Sequence, residues 1–287
     1  MVRGYLNIEE GLVIAVIFFT ILAIALPVFT PGEDINLILT VSTFLFGIFS
    51  GFFISNRWSR YSRIKTLLTN ETGVLISVYI LSKIIGKEFA KKIANLIDKY
   101  LIEAFLYEIY EYHEKTDELF YKFLYTVKDI RPKTIQQKEA ISQIIKIMGG
   151  TPSGREETYF LEKTKLPKFM YWVIWILAAI IIFCLFYIRT GSITYSFITI
   201  LLSTSVILVV LVLRDLDNLR WDEKVLAFDI YYRVYDAIGK PRVYPDISIK
   251  RGRIKPPKDM DYRLLLIEER NGRQYLKGIK TIKQSRS

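Results

Sequence analysis

Residues 35–55 read INLILTVSTFLFGIFSGFFIS, a long run without one acidic or basic side chain. A helix needs about 20 predominantly apolar residues to cross the hydrocarbon core of a bilayer. Three further runs have the same character, namely Leu12–Phe29, Phe169–Ile188 and Ile193–Leu213. A hairpin buried in a soluble protein could explain one such run, but four favour a membrane protein. We therefore predict an all-α integral membrane protein with four transmembrane helices.

The linkers between these runs predict the orientation. Of the 40 Lys and Arg residues, all but Arg189 lie at the N-terminus, between the second and third runs, or after the fourth. The linker at 30–34 has none. Cytoplasmic loops of membrane proteins carry an excess of basic residues. We expect a multi-pass protein of the cell membrane with both termini in the cytoplasm.

The segment 57–167 is too long for a linker, and its apolar residues recur at helical spacing. Gly and Pro residues divide it into helices. The predicted helices are one around Val74–Leu81, one from Phe89 to Tyr107, one ending near Arg131-Pro132, and one at Thr134–Met148 that Gly149-Gly150 ends. We predict a helical cytoplasmic domain at 57–167, between transmembrane regions at 1–56 and 168–213.

The C-terminal region 214–287 has a different character. A helical pattern covers Asp222–Ile238. Asn271-Gly272 then joins two strand-like runs, which predicts a small β-hairpin of Tyr262–Glu269 and Arg273–Ile282. Residues 240–287 hold 14 basic and 5 acidic side chains. Such a tail could attract anions or anionic lipid, or it could be a solvated surface.

Composition excludes several functions. One cysteine, Cys184, and one histidine, His113, are too few within one chain for a zinc or iron–sulfur centre. Gly149–Gly154 has the glycine spacing of a phosphate loop, but Arg155 follows in place of lysine and no strand precedes it, so we interpret it as a helix-ending turn. No nucleophile and base are assembled, and we predict neither enzymatic activity nor nucleic-acid binding.

The second run offers a candidate pore. Phe44, Ile48 and Phe52 repeat every four residues, and Ser55 and Asn56 follow at the cytoplasmic edge. Such a stripe is typical of helix packing or lipid contact. In a symmetric oligomer it could instead ring a pore that closes by dewetting.

Residues 51–73 carry a family resemblance. The run continues directly into Trp58-Ser-Arg60-Tyr61, then Lys65 and Glu71. This sequence resembles the bestrophin-like membrane proteins of prokaryotes, in which an apolar span is followed by Trp-x-Arg-Tyr, a basic residue and a glutamate. The order of elements is also similar, with two spans, a long helical insert and two more spans.

The resemblance implies a function. Bestrophins are pentameric chloride channels, so it implies a homopentamer in the lipid bilayer that conducts inorganic anions, with Phe44, Ile48 and Phe52 as the neck of the pore. Animal bestrophins bind calcium after the fourth span. Asp215 and Asp217 resemble that acidic site only weakly. The resemblance implies no other cofactor. The alternative is a membrane-anchored scaffold or signalling protein without a pore.

Overall fold

The computed structural model describes residues 7–30, 34–107, 109–128, 130–221, 228–250, 252, 254–270 and 273–283. Four of its helices are long and apolar enough to cross a membrane, as the sequence predicts. They are α1 (Ile8–Ala25), α2 (Ile35–Ile85), α7 (Lys168–Tyr187) and α8 (Ile193–Asp217). The chain divides into two compact units. We call Val2–Tyr61 with Lys165–Trp221 the span unit, and Ser62–Thr164 with Asp222–Ser287 the helix–sheet unit.

The ends of α1 follow from local chemistry and differ from the predicted range Leu12–Phe29. At the start, the Glu10 carboxylate accepts a hydrogen bond from the Asn7 N–H at 3.2 Å, which satisfies a backbone donor before the first turn. At the end, Leu26 is extended, with φ −79° and ψ 139°. Because Pro27 follows it, Leu26 is disfavoured in the helical region. The helix therefore begins and ends about one turn earlier than predicted.

The core of the span unit lies where α1, α2, α7 and α8 pack. Ile174 and Leu213 are fully buried in one cluster with Phe46 and Phe53 of α2. Where α1 packs against α8, a side chain at Gly11 would meet the end of the Leu211 side chain at 2.8 Å, so any larger residue there would force Leu211 to shift. Glycine at such positions lets transmembrane helices approach closely.

Arg189, the exception to the basic-residue pattern, has a structural role. It is buried in the linker between α7 and α8, and its guanidinium donates hydrogen bonds to the backbone carbonyls of Ala23 and Leu26. These carbonyls lie at the C-terminal end of α1, where a cation satisfies backbone acceptors and the helix dipole.

The helix α2 corrects one prediction. Its 51 residues run without interruption from the apolar run through Val74–Leu81, which the sequence suggested was a separate helix. The break comes only at Gly86, whose φ of 153° is one that L side chains rarely adopt. The change from apolar to polar sequence after Ile54 thus marks a change of environment and leaves the helix intact.

The helix–sheet unit contains α3 (Lys87–Ala104), α4 (Ile109–Lys128), α5 (Ile135–Gly149) and α6 (Thr151–Lys163). The prediction that Gly149-Gly150 ends a helix is confirmed. The rest of the glycine-rich segment is not a loop, however, because Thr151–Gly154 is the first turn of α6. A proline at the second position is compatible with a helix start, so the turn leads straight into a new helix.

The C-terminal region forms α9 (Ile230–Ile238), β1 (Arg242–Pro245), α10 (Asp246–Lys250), β2 (Tyr262–Arg270) and β3 (Arg273–Ile282). The antiparallel pairing of β2 with β3 confirms the predicted hairpin strands, while the Asn271-Gly272 turn lies outside the described residues. A third strand was not predicted. It is β1, which pairs parallel to β2 with Arg242 opposite Tyr262. Residues 222–227 of the predicted Asp222–Ile238 helix also lie outside the described residues.

Asp98 of α3 joins the helices of this unit to the sheet. Its carboxylate accepts hydrogen bonds from Arg263 of β2 at 2.6 and 3.0 Å and from Lys240 at 2.8 Å. Burial disfavours the charged form of Asp98, but the hydrogen bonds from Arg263 and Lys240 outweigh it and lower the pKa of the carboxyl. The sheet is therefore held by an ionised Asp98.

Candidate functional site

One face of α2 is not covered by the part of the chain that the structure describes. Phe44, Ile48 and Phe52 are 67%, 51% and 65% exposed. Their spacing of four residues places them on one side of the helix. Large apolar side chains on an uncovered face of a membrane helix must contact lipid, or another protein chain.

The opposite face of α2 is packed. Ser42, Phe46, Ser50 and Phe53 are buried, and they recur every three or four residues. Phe46 and Phe53 belong to the core cluster of the span unit. Because the chain covers one side of the helix and leaves the other open, α2 presents Phe44, Ile48 and Phe52 in a fixed direction.

The small residues of α2 leave room beside the uncovered face. Side chains added at Gly47 and Gly51 would meet nothing within 4 Å among the described residues. The Thr43 hydroxyl donates to the carbonyl of Leu39 at 2.8 Å, and the buried Ser50 hydroxyl donates to Phe46 at 2.5 Å. These hydroxyls are therefore bonded within the helix, whereas the two glycines could admit a helix from another chain.

A cluster of polar contacts centred on Asp217 holds α2 in place at Arg57 and Arg60, just after its apolar segment. The Asp217 Oδ1 atom accepts from Arg57 at 3.2 Å and from the Leu166 N–H at 2.9 Å, and Oδ2 accepts from the Tyr171 hydroxyl at 3.0 Å. Arg60 donates to the Asp217 carbonyl at 2.9 Å. One residue at the end of α8 thus ties α2 to the start of α7. We call these five residues the Asp217 cluster.

The aromatic residues of the family motif lie beside these contacts. Trp58 stacks on Tyr61 with ring centroids 5.7 Å apart, and it meets Trp221 edge to face at 6.4 Å. Tyr61 is buried, whereas Trp58 is half exposed. Arg60 and Tyr61 are therefore packed inside the span unit. Ser55 and Asn56, the predicted pore edge, are both exposed.

The calcium candidates have protein partners. Asp215 accepts from the neighbouring Arg214 at 2.9 Å, and Asp217 is held as described above. Within the described residues, no three His, Cys, Asp or Glu side chains come together that could hold a metal ion. The calcium site stays a prediction, and the geometry gives both carboxylates arginine partners instead.

The last two motif residues belong to the helix–sheet unit. Lys65 is exposed, but Glu71 is buried beside Arg155 of α6, with nitrogen and oxygen 3.5 Å apart. Tyr100 of α3 donates to Glu71 and accepts from Arg155. The motif is therefore divided, with Trp58, Arg60 and Tyr61 in one unit and Glu71 in the other.

Arg155 is the residue that sequence reasoning missed. Its guanidinium also donates to Thr116 at 3.1 Å and to Asp117 at 2.6 Å, and it lies 4.6 Å from the ring centre of Phe120. Arginine can make this many directed contacts because its planar group carries five donors. Its partners are up to 84 residues away in sequence, and no local pattern indicates such a group.

Two hydroxyls of α8 differ from those of Thr43 and Ser50 in α2. Ser203 and Thr204 are buried, and within the described residues their hydroxyls have no hydrogen-bond partner. For Ser203 the structure shows no backbone bond.

Comparison with known proteins decides the family. A family model described as the bestrophin-like domain matches residues 14–219, well over half of the chain. The chain belongs to the bestrophin-like family. Searches of curated proteins and of solved structures found no match.

The bestrophin-like domain has a clear extent along this chain. It includes all but the first residues of α1, the whole of α2, the Asp217 cluster and the Glu71–Arg155 contacts. The sheet and α9 lie beyond its last matched residue. The membrane helices and the motif are thus the family's shared part.

Proposed function

We propose that this bestrophin-like chain is one subunit of an oligomeric ion channel whose pore is lined by α2. The observation that carries the proposal is the uncovered face bearing Phe44, Ile48 and Phe52, on a helix whose other face is packed. Arranged around a symmetry axis, these side chains would form an apolar constriction that closes the pore by dewetting.

Two features support an oligomer. Gly47 and Gly51 leave open space along α2, as a close contact with a second helix requires. The Asp217 cluster holds α2 against α7 and α8, so each subunit would present the same side chains at the same depth. By resemblance to bestrophins, we propose five subunits.

Anion selectivity is a further part of the proposal. Bestrophins are anion channels, and the chain carries a net charge of +11. A positive field near a pore mouth concentrates anions. With both termini in the cytoplasm, as the basic residues predict, most of this charge lies on the cytoplasmic side. No calcium step enters the mechanism, because Asp217 already binds Arg57, Leu166 and Tyr171.

A conductance experiment tests the pore. The purified chain is reconstituted in liposomes, and chloride flux is compared for wild type and a variant with Phe44, Ile48 and Phe52 changed to alanine. Removing an apolar constriction lowers the dewetting barrier, so flux should rise. The control changes Phe169, Trp172 and Ile176, three exposed residues of α7, to alanine.

The outcomes separate pore from lipid contact. A rise in flux only for the α2 variant supports the channel, and reversal potentials in a chloride gradient then test for anions. Flux from neither variant nor wild type refutes it. Equal changes in both variants assign the two faces to lipid.

One observation favours the scaffold alternative. The strand β3 lies at the edge of the sheet, and it exposes Tyr275, Leu276 and Ile279 together with two lysines, Lys277 and Lys280. An edge strand presents unpaired backbone groups that can pair with another chain. A single chain or a tight dimer by native mass spectrometry would favour this function over the channel.

A further inference from the structure

A polar cavity of about 330 Å³ lies in the helix–sheet unit, between α2, α5 and α6. Ligand pockets in proteins measure about 300–1,000 Å³, so this one suits a small metabolite. The motif residue Glu71 and its partner Arg155 form part of its lining. Arg63 and Glu157 form another part.

The two charged pairs differ in exposure. Glu71 and Arg155 are each 5% exposed, and both have further partners in the chain. Arg63 and Glu157 are 53% and 40% exposed. The Arg63 guanidinium donates two hydrogen bonds to the Glu157 carboxylate, at 2.6 and 2.8 Å. The buried pair is therefore a fixed wall of the cavity, and the exposed pair is the part that solvent or a ligand can reach.

The exposed pair can exchange partners at low cost. Ion pairs in water are weak, because solvent competes for both groups. The hydrogen bond from Arg63 lowers the pKa of Glu157, so that its carboxyl is ionised at neutral pH. A ligand that displaces either group must supply the missing charge.

The charges of the lining specify the ligand. Two arginines face two glutamates, which leaves the cavity neutral. A simple anion bound to Arg63 would take away the cation beside Glu157, and a simple cation would do the reverse. A zwitterion serves both, since its carboxylate binds Arg63 while its ammonium binds Glu157.

The remaining lining suits the rest of such a molecule. Leu67, Val74 and Ile147 supply apolar surface, and Asn70 supplies an amide. An α-amino acid has this combination of a charged head and a side chain. Its head would lie at the exposed pair and its side chain against the apolar wall.

We propose that the cavity binds a free α-amino acid, with Arg63 holding the carboxylate and Glu157 the ammonium group. The site is separate from the α2 face proposed as the pore, so it would be a regulatory site. If the predicted orientation holds, the ligand comes from the cytoplasm.

Binding to the full-length chain in lipid nanodiscs tests the proposal. The twenty standard amino acids are screened by thermal shift, and those that act are measured by isothermal titration calorimetry. Acetate and methylammonium serve as probes that carry one charge each. We expect saturable binding of at least one amino acid and much weaker binding of both probes.

Variants locate the site. Arg63→Ala and Glu157→Ala should each weaken binding about tenfold or more, the effect of losing a hydrogen bond between charged groups. Asp236→Ala is the matched control. It removes a similar exposed pair, Asp236 with Arg242 at 2.7 Å, whose residues do not line the cavity. The control should bind as wild type does.

Three results would overturn the proposal. They are an absence of binding by any amino acid, acetate binding as tightly as the amino acid, and binding that survives both Arg63→Ala and Glu157→Ala. Because binding is measured directly, the result does not depend on conduction. A chain that conducts without binding, or binds without conducting, separates this proposal from the channel.

Discussion

Two arginines of α2, six residues apart in sequence, form ion pairs with opposite exposure. Arg57 and its partner Asp217 are 9% and 4% exposed, while Arg63 and Glu157 are 53% and 40% exposed. The buried pair has additional hydrogen bonds from Leu166 and Tyr171. The same two chemical groups therefore have different roles, and burial decides which.

The difference has a physical basis. A buried charge that loses its partner keeps the cost of its desolvation, whereas an exposed charge regains water. The Asp217 cluster should therefore determine where α2 lies, and the Arg63–Glu157 pair should contribute little to stability. Because this pair can open at little cost in stability, its two groups are suited to the ligand binding proposed above.

The largest expected effect is that of Asp217→Ala. It removes the carboxylate that Arg57, Leu166 and Tyr171 share, so we expect a loss of about 3–5 kcal/mol in the free energy of unfolding. Denaturation of the detergent-purified chain, followed by tryptophan fluorescence, measures it. A loss no larger than that of Glu157→Ala would remove the distinction between the pairs.

The next largest effect is expected for Arg155→Lys. Lysine keeps the charge but cannot reach Glu71, Tyr100, Thr116 and Asp117 at once, and hydrogen bonds to charged groups contribute about 1.5–3 kcal/mol each. We expect a destabilisation of about this size by the same measurement. A stable Arg155→Lys variant would mean that the guanidinium geometry is unimportant.

A smaller, pH-dependent effect is expected for Asp98. Its pKa is lowered from an ordinary value of 3.8, so its stabilisation is present above that pH and is lost as pH falls through the lower, folded-state pKa. Asp98→Asn should weaken docking of the sheet by about 1 kcal/mol at neutral pH, since charged hydrogen bonds become neutral ones. Hydrogen exchange of β2 measures this.

The pH series supplies the control for Asp98. Wild type and Asp98→Asn should differ at pH 7 and converge below the folded-state pKa, where Asp98 is protonated. A difference between them that stays constant across this range would mean that the charge of Asp98 is not what holds Arg263 and Lys240.

The smallest effect is expected for Glu157→Ala without ligand. Both residues of its pair are exposed, so we expect no measurable change in the melting temperature. Differential scanning fluorimetry of the detergent-purified chain checks it. A clear drop would show that the pair holds α6 against α2, and would argue against its opening for a ligand.

The transmembrane helices could be predicted because contact with lipid requires segments of apolar, uncharged residues. A charge in the hydrocarbon core is costly, so the uncharged runs stand out without knowledge of the packing. The strands of the hairpin were also predictable, because Asn271-Gly272 is a local signal. The ends of α1 were less so, although Pro27 was a signal that could have placed its end.

The continuity of α2 could not be read from hydropathy. Hydropathy changes after Ile54 because the surroundings change, while the backbone stays helical as far as Gly86. The strand β1 was missed for another reason. Its four residues pair with β2 twenty positions later, and so short a parallel pairing leaves no periodicity.

The polar clusters lay beyond sequence reasoning. The sequence marked Asp217 only as a weak calcium candidate. Its hydrogen bond with Arg57 joins residues 160 positions apart. Arg155 was noted only because it stands where a phosphate loop would have lysine. Side chains that meet through tertiary packing have no fixed spacing, so a single sequence does not indicate them.

The central claim, that α2 lines an ion pore, is tested most directly by blocking it from within. Ile48→Cys is introduced into a Cys184→Ala chain, and liposome conductance is recorded before and after a charged thiosulfonate reagent. Ile176→Cys on α7, equally exposed in the single chain, is the control. The account predicts that modification changes conductance through Ile48→Cys and leaves Ile176→Cys unaffected. An absence of conductance, or an equal response of the two variants, would contradict it.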